Sequence, residues 1–196
     1  RVPFSPYSSQ IQVDGMPLPG LYLHIPFCRR KCNYCNFYSI VTNDDLSSFI
    51  KALLKEISLY NHIFRCFDTL YIGGGTPSIL SVQNFEDILK EIRKDELLKE
   101  DAEITVEVNP ADIDVSYLKS LRHSGVNRLS IGIQSFDDGI LQFLGRRHSR
   151  QQAIYSIEAS LAAGFGNIGF DLIYGIPGQT LTAWLETLSL ALSCRP

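Results

Sequence analysis

From residue 20 onward the apolar positions switch period in a regular way. Leu21–Phe27 is a short apolar run fit for a strand. Leu46, Phe49, Ile50, Leu53, Leu54 and Ile57 then recur at helical spacing, behind Asn43 or Asp44 as an N-cap. The couplet repeats with Thr69–Gly73 as a strand and Phe85, Ile88, Leu89 and Ile92 marking its helix. Glu103–Asn109 is a third strand, followed by Tyr117, Leu118 and Leu121 in a helix that stops at Gly125. Arg128–Gln134 is a fourth, followed by a short helical turn over Gly139–Leu144. Ser149 and Gln152 stand at capping-box spacing before a helix that ends at Gly164. Asn167–Tyr174 is a fifth strand, and Leu181, Trp184, Leu185 and Leu188 begin the fifth main helix.

Repeated β-then-α units without hairpin signals predict an α/β fold of parallel strands joined by right-handed crossovers. The pattern fits a full or partial barrel and a doubly wound sheet equally. Residues 1–19 hold Pro3, Pro6, Pro17 and Pro19 with no sustained period, and read as an extension or linker. Residues 20–196 then form one domain. Lys90–Asp101 reads as a solvated helix end and loop. The chain opens on Arg1, not Met, and stops at Pro196, where another strand is due. The expectation is a trimmed chain, truncated after five βα units.

Composition narrows the function. The 196 residues suffice for one sizeable core, and 45% hydrophobic with 20% charged residues is ordinary for a globular domain. A net charge of −3 argues against a nucleic-acid footprint. No apolar run has the length of a membrane span, and the start carries no secretory signal. Cysteine is odd in number, five, with three crowded into Cys28–Cys35. That pattern suits a metal centre in a reducing, cytoplasmic or other intracellular compartment better than a disulfide framework.

The crowded cysteines follow C-x3-C-x2-C in His24-Ile25-Pro26-Phe27-Cys28-Arg29-Arg30-Lys31-Cys32-Asn33-Tyr34-Cys35-Asn36-Phe37-Tyr38, directly after the first strand. In a parallel barrel that loop lies on the C-terminal face, where active sites form. Three thiolates can hold three corners of a four-iron cluster and leave the fourth iron open. Arg29, Arg30 and Lys31 favour thiolate over thiol and offset the cluster's negative charge. The same cysteines with His24 would suit zinc, and buried unreactive thiols are a further reading. Spacing alone leaves iron–sulfur and zinc open. Cys66 and Cys194 stand apart and read as core or incidental residues.

C-x3-C-x2-C with Tyr34 before its last cysteine resembles the radical-SAM superfamily. Tyr71-Ile72-Gly73-Gly74-Gly75-Thr76-Pro77-Ser78 resembles that superfamily's glycine motif, whose backbone carbonyls can accept from the methionine ammonium of the cofactor. Tyr22, Glu107, Gln134, Arg146 and Asp171 match cofactor-contacting positions of one branch, that of oxygen-independent coproporphyrinogen III oxidases and HemW-type haem chaperones. The resemblance spans about residues 21–193.

It implies a partial TIM-like barrel, a [4Fe-4S] cluster on Cys28, Cys32 and Cys35, and S-adenosylmethionine held by Tyr22, Tyr34, Gly74, Gly75, Thr76, Glu107, Gln134, Arg146 and Asp171. Arg146 would take the methionine carboxylate, Glu107 the amine or a ribose hydroxyl, and Gln134 and Asp171 the ribose. Ile173 and Ile176 would flank the adenine. His62, His123 and His148 are left as surface residues. In such enzymes an electron from the cluster breaks the sulfonium bond and yields a 5′-deoxyadenosyl radical. The oxidases resemble C-x3-C-x2-C-x-C, and here Phe37 occupies the place of the further cysteine. With Leu144-Gly145-Arg146-Arg147-His148, this favours a haem chaperone that passes haem to apo-haem enzymes, with the porphyrin-biosynthetic oxidase as alternative. A reductase would supply electrons, and haem-binding parts are expected beyond Pro196. A zinc barrel without cofactor would leave Gly73–Thr76, Glu107, Gln134 and Asp171 without a role.

Overall fold

A computed structural model describes residues 18–41, 44–60, 66–94 and 97–195. The candidate cap Asn43, His62 and nearly all of the N-terminal extension lie outside the described residues. The elements are β1 (Gly20–Ile25), α1 (Leu46–Tyr60), β2 (Phe67–Gly74), α2 (Val82–Arg93), β3 (Leu98–Val108), α3 (Val115–Ser124), β4 (Arg128–Gln134), α4 (Asp138–Phe143), α5 (Arg150–Ala162), β5 (Ile168–Leu172) and α6 (Leu181–Ser193). Single 3-10 turns follow β2 at Pro77–Ile79 and β3 at Pro110–Asp112.

The strands form one sheet in the order β1-β2-β3-β4-β5, every neighbour parallel. Helix α1 packs on α2, α2 on α3, and α3 on α5. Strand order that follows sequence order, with helices side by side, is an arc of a (β/α) barrel. A doubly wound sheet would reverse its order and carry helices on both faces.

Strand alternation then sorts the side chains. Leu70 and Ile72 of β2, Ile104 and Val106 of β3, and Leu129, Ile131 and Ile133 of β4 are buried in the core shared with the helices. Each such burial stabilises by roughly 1.5–3 kcal/mol. The intervening positions are polar, aromatic or glycine: Tyr71 and Gly73, Thr105 and Glu107, Ser130, Gly132 and Gln134. These face away from the helices, on the concave side.

Helix starts are fixed locally. Ser81 with Asn84 and Ser149 with Gln152 both form reciprocal capping boxes, the latter as its spacing predicts. Asp114, Asp137 and Thr180 accept from backbone N–H groups at the starts of α3, α4 and α6.

Two segments depart from the sequence reading. Strand β3 begins at Leu98, so the stretch to Asp101 is strand and not loop. Leu98 is buried and pairs with Phe67, while Lys99, Glu100 and Asp101 stay exposed and hide the strand signal. Strand β1 ends at Ile25, because Pro26 has no N–H to give a ladder. The chain there continues through a single bridge between Phe27 and Ile40. Among the described residues no helix is long and apolar enough to cross a membrane.

Phe85 of α2 is fully buried. Phe85→Ala is therefore expected to lower stability by about 3–5 kcal/mol in denaturant unfolding. A loss below about 1 kcal/mol would contradict this core assignment.

Candidate functional site

The C-terminal ends of β2, β3, β4 and β5 and the loop that follows β1 line one cleft open to solvent. Cys28, Cys32, Cys35, Tyr34, Gly74, Gly75, Thr76, Glu107, Gln134, Arg146 and Asp171 all line it. The structure thus brings together eleven of the fourteen residues assigned above to the cluster and the cofactor. Tyr22 stands beside the cleft: it stacks on Tyr71 with ring centroids 6.0 Å apart. Ile173 and Ile176 are not part of the cleft lining.

The cysteine loop is held at several points. The Cys28 N–H donates to the Ile40 carbonyl at 2.9 Å, and the Thr76 hydroxyl points at Cys28 Sγ from 3.4 Å. Asn33 donates from its backbone to Leu144 and from its side chain to Phe143, at 3.0 and 2.8 Å, tying the loop to the end of α4. His24 Nε2 lies 3.0 Å from the Tyr38 carbonyl and must donate there, so Nδ1 accepts from the Tyr22 hydroxyl at 3.1 Å. Both ring nitrogens are committed, which removes His24 as a fourth zinc ligand. All three cysteines are free thiols. Among the described residues no three acidic, histidine or cysteine side chains converge on a single ion. A cluster needs no such convergence, since each thiolate takes a different iron. Three thiols on one loop are a donor set that fits three corners of a four-iron cluster.

The glycine turn after β2 fits under this loop because it has no side chain. A Cβ on Gly75 would lie 2.6 Å from the Phe27 carbonyl oxygen and 3.0 Å from Cys28 Sγ. Gly74 has φ +116°, and a Cβ there would strike the His24 ring at 2.8 Å. Glu107 accepts from the Tyr71 hydroxyl at 2.8 Å and from the Gly74 N–H at 3.1 Å. Burial still raises its pKa above the usual carboxylate value, against those two bonds. The Tyr71 phenol is pushed up to about 12, by burial first and by Glu107 next. Asp171 is likewise raised by burial, with the Ser130 hydroxyl opposing.

Arg146 reaches in from the far side. Its Nη2 donates to the Gly132 carbonyl at 2.6 Å, and its Nη1 lies 3.6 Å from Cys32 Sγ and 3.4 Å from the Tyr34 hydroxyl. Its Nε is buried without a partner. A guanidinium anchored on one side and unsatisfied on another suits a carboxylate ligand. Gln134 is a non-glycine residue at φ +67°, at a bulge between β4 and β5. Such backbone costs on the order of 1–3 kcal/mol and turns the side chain into the cleft.

His148 corrects the surface reading. It is 3% exposed, and its Nε2 donates to the Ile133 carbonyl at 3.0 Å, beside the strained Gln134. The pattern that hid it is a loop of three polar residues, Arg146-Arg147-His148, which all turn inward. The sequence reading also missed Asn33, Tyr71 and Ser130 as contributors. Tyr71 and Ser130 were visible as inward positions of alternating strands; Asn33 carried no signal. Phe37, at the mouth, is 71% exposed and is no core residue.

A family profile described as the Radical SAM superfamily matches residues 22–191. The haem chaperone HemW of Buchnera aphidicola (subspecies Acyrthosiphon pisum) is 36% identical over 187 residues, covering 92% of this chain and 49% of that protein. HemW of Lactococcus lactis is 42% identical over 161 residues, covering 82% and 42%. The structure of the radical SAM enzyme coproporphyrinogen III oxidase (HemN) from Escherichia coli superposes with a TM-score of 0.84 at 32% identity, over 92% of this chain and 43% of that one. The chain spans about half the length of the curated relatives it matches.

Burial and the neighbouring Arg146 lower the His148 pKa to about 4. The unfolded chain takes up a proton near pH 6.5, which the folded chain refuses until about pH 4. Stability is therefore expected to fall as pH drops from about 6.5 to 4, by up to roughly 3 kcal/mol from this group. His148→Gln should flatten that decline in pH-dependent unfolding; an unchanged slope would show that His148 is not held neutral.

Proposed function

This chain belongs to the radical SAM superfamily, whose members use a [4Fe-4S] cluster and S-adenosylmethionine, and we propose that it is the cluster- and cofactor-binding part of a haem chaperone. The observation that carries this reading is the meeting of three free cysteines, a side-chain-free glycine turn and a half-satisfied arginine in one cleft.

Cys28, Cys32 and Cys35 would hold the [4Fe-4S] cluster. A cluster bound there would supply the electron for reductive cleavage of the cofactor. The chain's own residues bind and orient. Arg146 receives the methionine carboxylate. The turn Gly74–Thr76 and Glu107 receive the ammonium, whose positive charge opposes the burial that raises the Glu107 pKa. Gln134 and Asp171 take the ribose hydroxyls. Tyr34, pushed up to about 12 chiefly by burial, stays a neutral phenol whose hydroxyl accepts from Arg146 beside the cluster loop. Tyr22 supports the site through its bond to His24 and its stacking on Tyr71.

The chaperone is favoured over the oxidase by Phe37, an exposed apolar residue at the place where the oxidase pattern carries a further cysteine. Haem or a porphyrin is the cargo, apo-haem enzymes are the recipients and a reductase is the electron source. The thiols require a reducing compartment such as the cytoplasm.

Changing Cys28, Cys32 or Cys35 to Ala should abolish iron binding after anaerobic reconstitution, whereas changing Cys66 or Cys194 should not. Full iron content in Cys32→Ala would remove the assignment. Arg146→Ala should weaken S-adenosylmethionine by about tenfold or more in calorimetry. Given cofactor, reductant and coproporphyrinogen III, the full-length protein should bind haem and transfer it without making protoporphyrinogen IX. Conversion would establish the oxidase instead.

A further inference from the structure

One buried carboxylate lies outside the cofactor contacts and touches both halves of the site. Asp112 closes the 3-10 turn Pro110–Asp112 after β3, and its side chain is 3% exposed. Arg29 Nε lies 3.2 Å from its Oδ1. The Arg147 guanidinium donates to its Oδ2. Arg29 follows the first cluster cysteine, Cys28. Arg147 follows Arg146, which approaches Cys32 and Tyr34. A single carboxylate thus joins three segments remote in sequence: the cysteine loop, the turn after β3, and the loop between α4 and α5.

The turn that presents Asp112 is itself fixed. Asn109 caps it, its Oδ1 accepting from the Ala111 N–H at 3.0 Å, and the Asn109 N–H donates to the Ser78 hydroxyl at 3.0 Å. Ser78 belongs to the turn that follows the glycine motif. Asp112 is therefore braced from β2 and β3 and does not follow the loops it holds.

Resting on the proposed cofactor site, we infer that Asp112 is a positioning residue: it sets Arg146 for the cofactor carboxylate through Arg147, and it fixes the cysteine loop through Arg29. Two consequences follow from charge and geometry. Without the carboxylate, Arg147 loses its anchor, and Arg146, still bonded to the Gly132 carbonyl, is less firmly held, so that part of its ordering falls on the ligand at the cost of affinity. The positive charge of Arg29 and Arg147 near the cluster is also no longer offset, so the reduced, more negative cluster is favoured and its potential rises. Simple loss of stability would produce neither change in protein that still folds.

The test uses anaerobically reconstituted full-length protein, with Asp112→Asn, Arg147→Gln and the double variant. Iron content and melting temperature identify the folded, loaded samples. S-adenosylmethionine affinity is measured by calorimetry, and the cluster potential by EPR-monitored titration. Asp112→Asn should bind the cofactor about tenfold more weakly, with its potential shifted upward. Arg147→Gln should lose comparable affinity, and the double variant should be no worse than Asp112→Asn alone, the signature of a shared contact. If Asp112→Asn does not fold, weakened binding by Arg147→Gln alone sustains the proposal, and unchanged binding overturns it. In folded Asp112→Asn, wild-type affinity and potential, or additive losses in the double variant, also overturn it. Failure of the wild-type protein to bind the cofactor would instead overturn the cofactor site itself.

Discussion

The structure depends on one constraint: consecutive parallel strands with all their packed helices on the same face. The helices require an unbroken apolar surface, and alternate strand positions provide it. The other positions are then free to be polar without disturbing the core. Glu107, Gln134 and Asp171 stand at such positions, one strand apart and near the same end of the sheet. Because the strands are parallel, every βα loop emerges at that end, so the cysteine loop and the glycine turn arrive beside them.

The mouth of the sheet gathers opposite charges under partial burial. Three thiols, Glu107 and Asp171 face Arg146 and the basic residues of the cysteine loop. Burial raises the pKa of both carboxylates, so a positive charge placed beside them is favoured. Arg146 likewise keeps a buried Nε without a partner. A ligand carrying both an ammonium and a carboxylate would satisfy acid and base together. The amino-acid end of S-adenosylmethionine has those two groups.

Much of this was legible in the sequence, for a local reason. Strand and helix periods, the capping box at Ser149 and the stop at Gly125 are encoded within a few residues of where they act. The cysteine spacing and the glycine run are likewise contiguous. What stayed hidden acts across the chain. His148 is buried because its ring meets the Ile133 carbonyl, and Asp112 matters because Arg29 and Arg147 close on it. Such contacts are separated by 15 or more residues and leave no periodic trace. The start of β3 was missed because three consecutive charged residues, Lys99–Asp101, mask a strand whose pairing is made through Leu98.

The central claim is that three thiolates of one loop present an open iron to a cofactor held by the strand ends. It is tested most directly by EPR of the reconstituted, reduced full-length protein before and after addition of S-adenosylmethionine. The account predicts a four-iron signal whose shape changes on addition, because the cofactor reaches the open iron. A four-iron signal that the cofactor leaves untouched, or a protein that takes up zinc in place of iron under the same conditions, would contradict it.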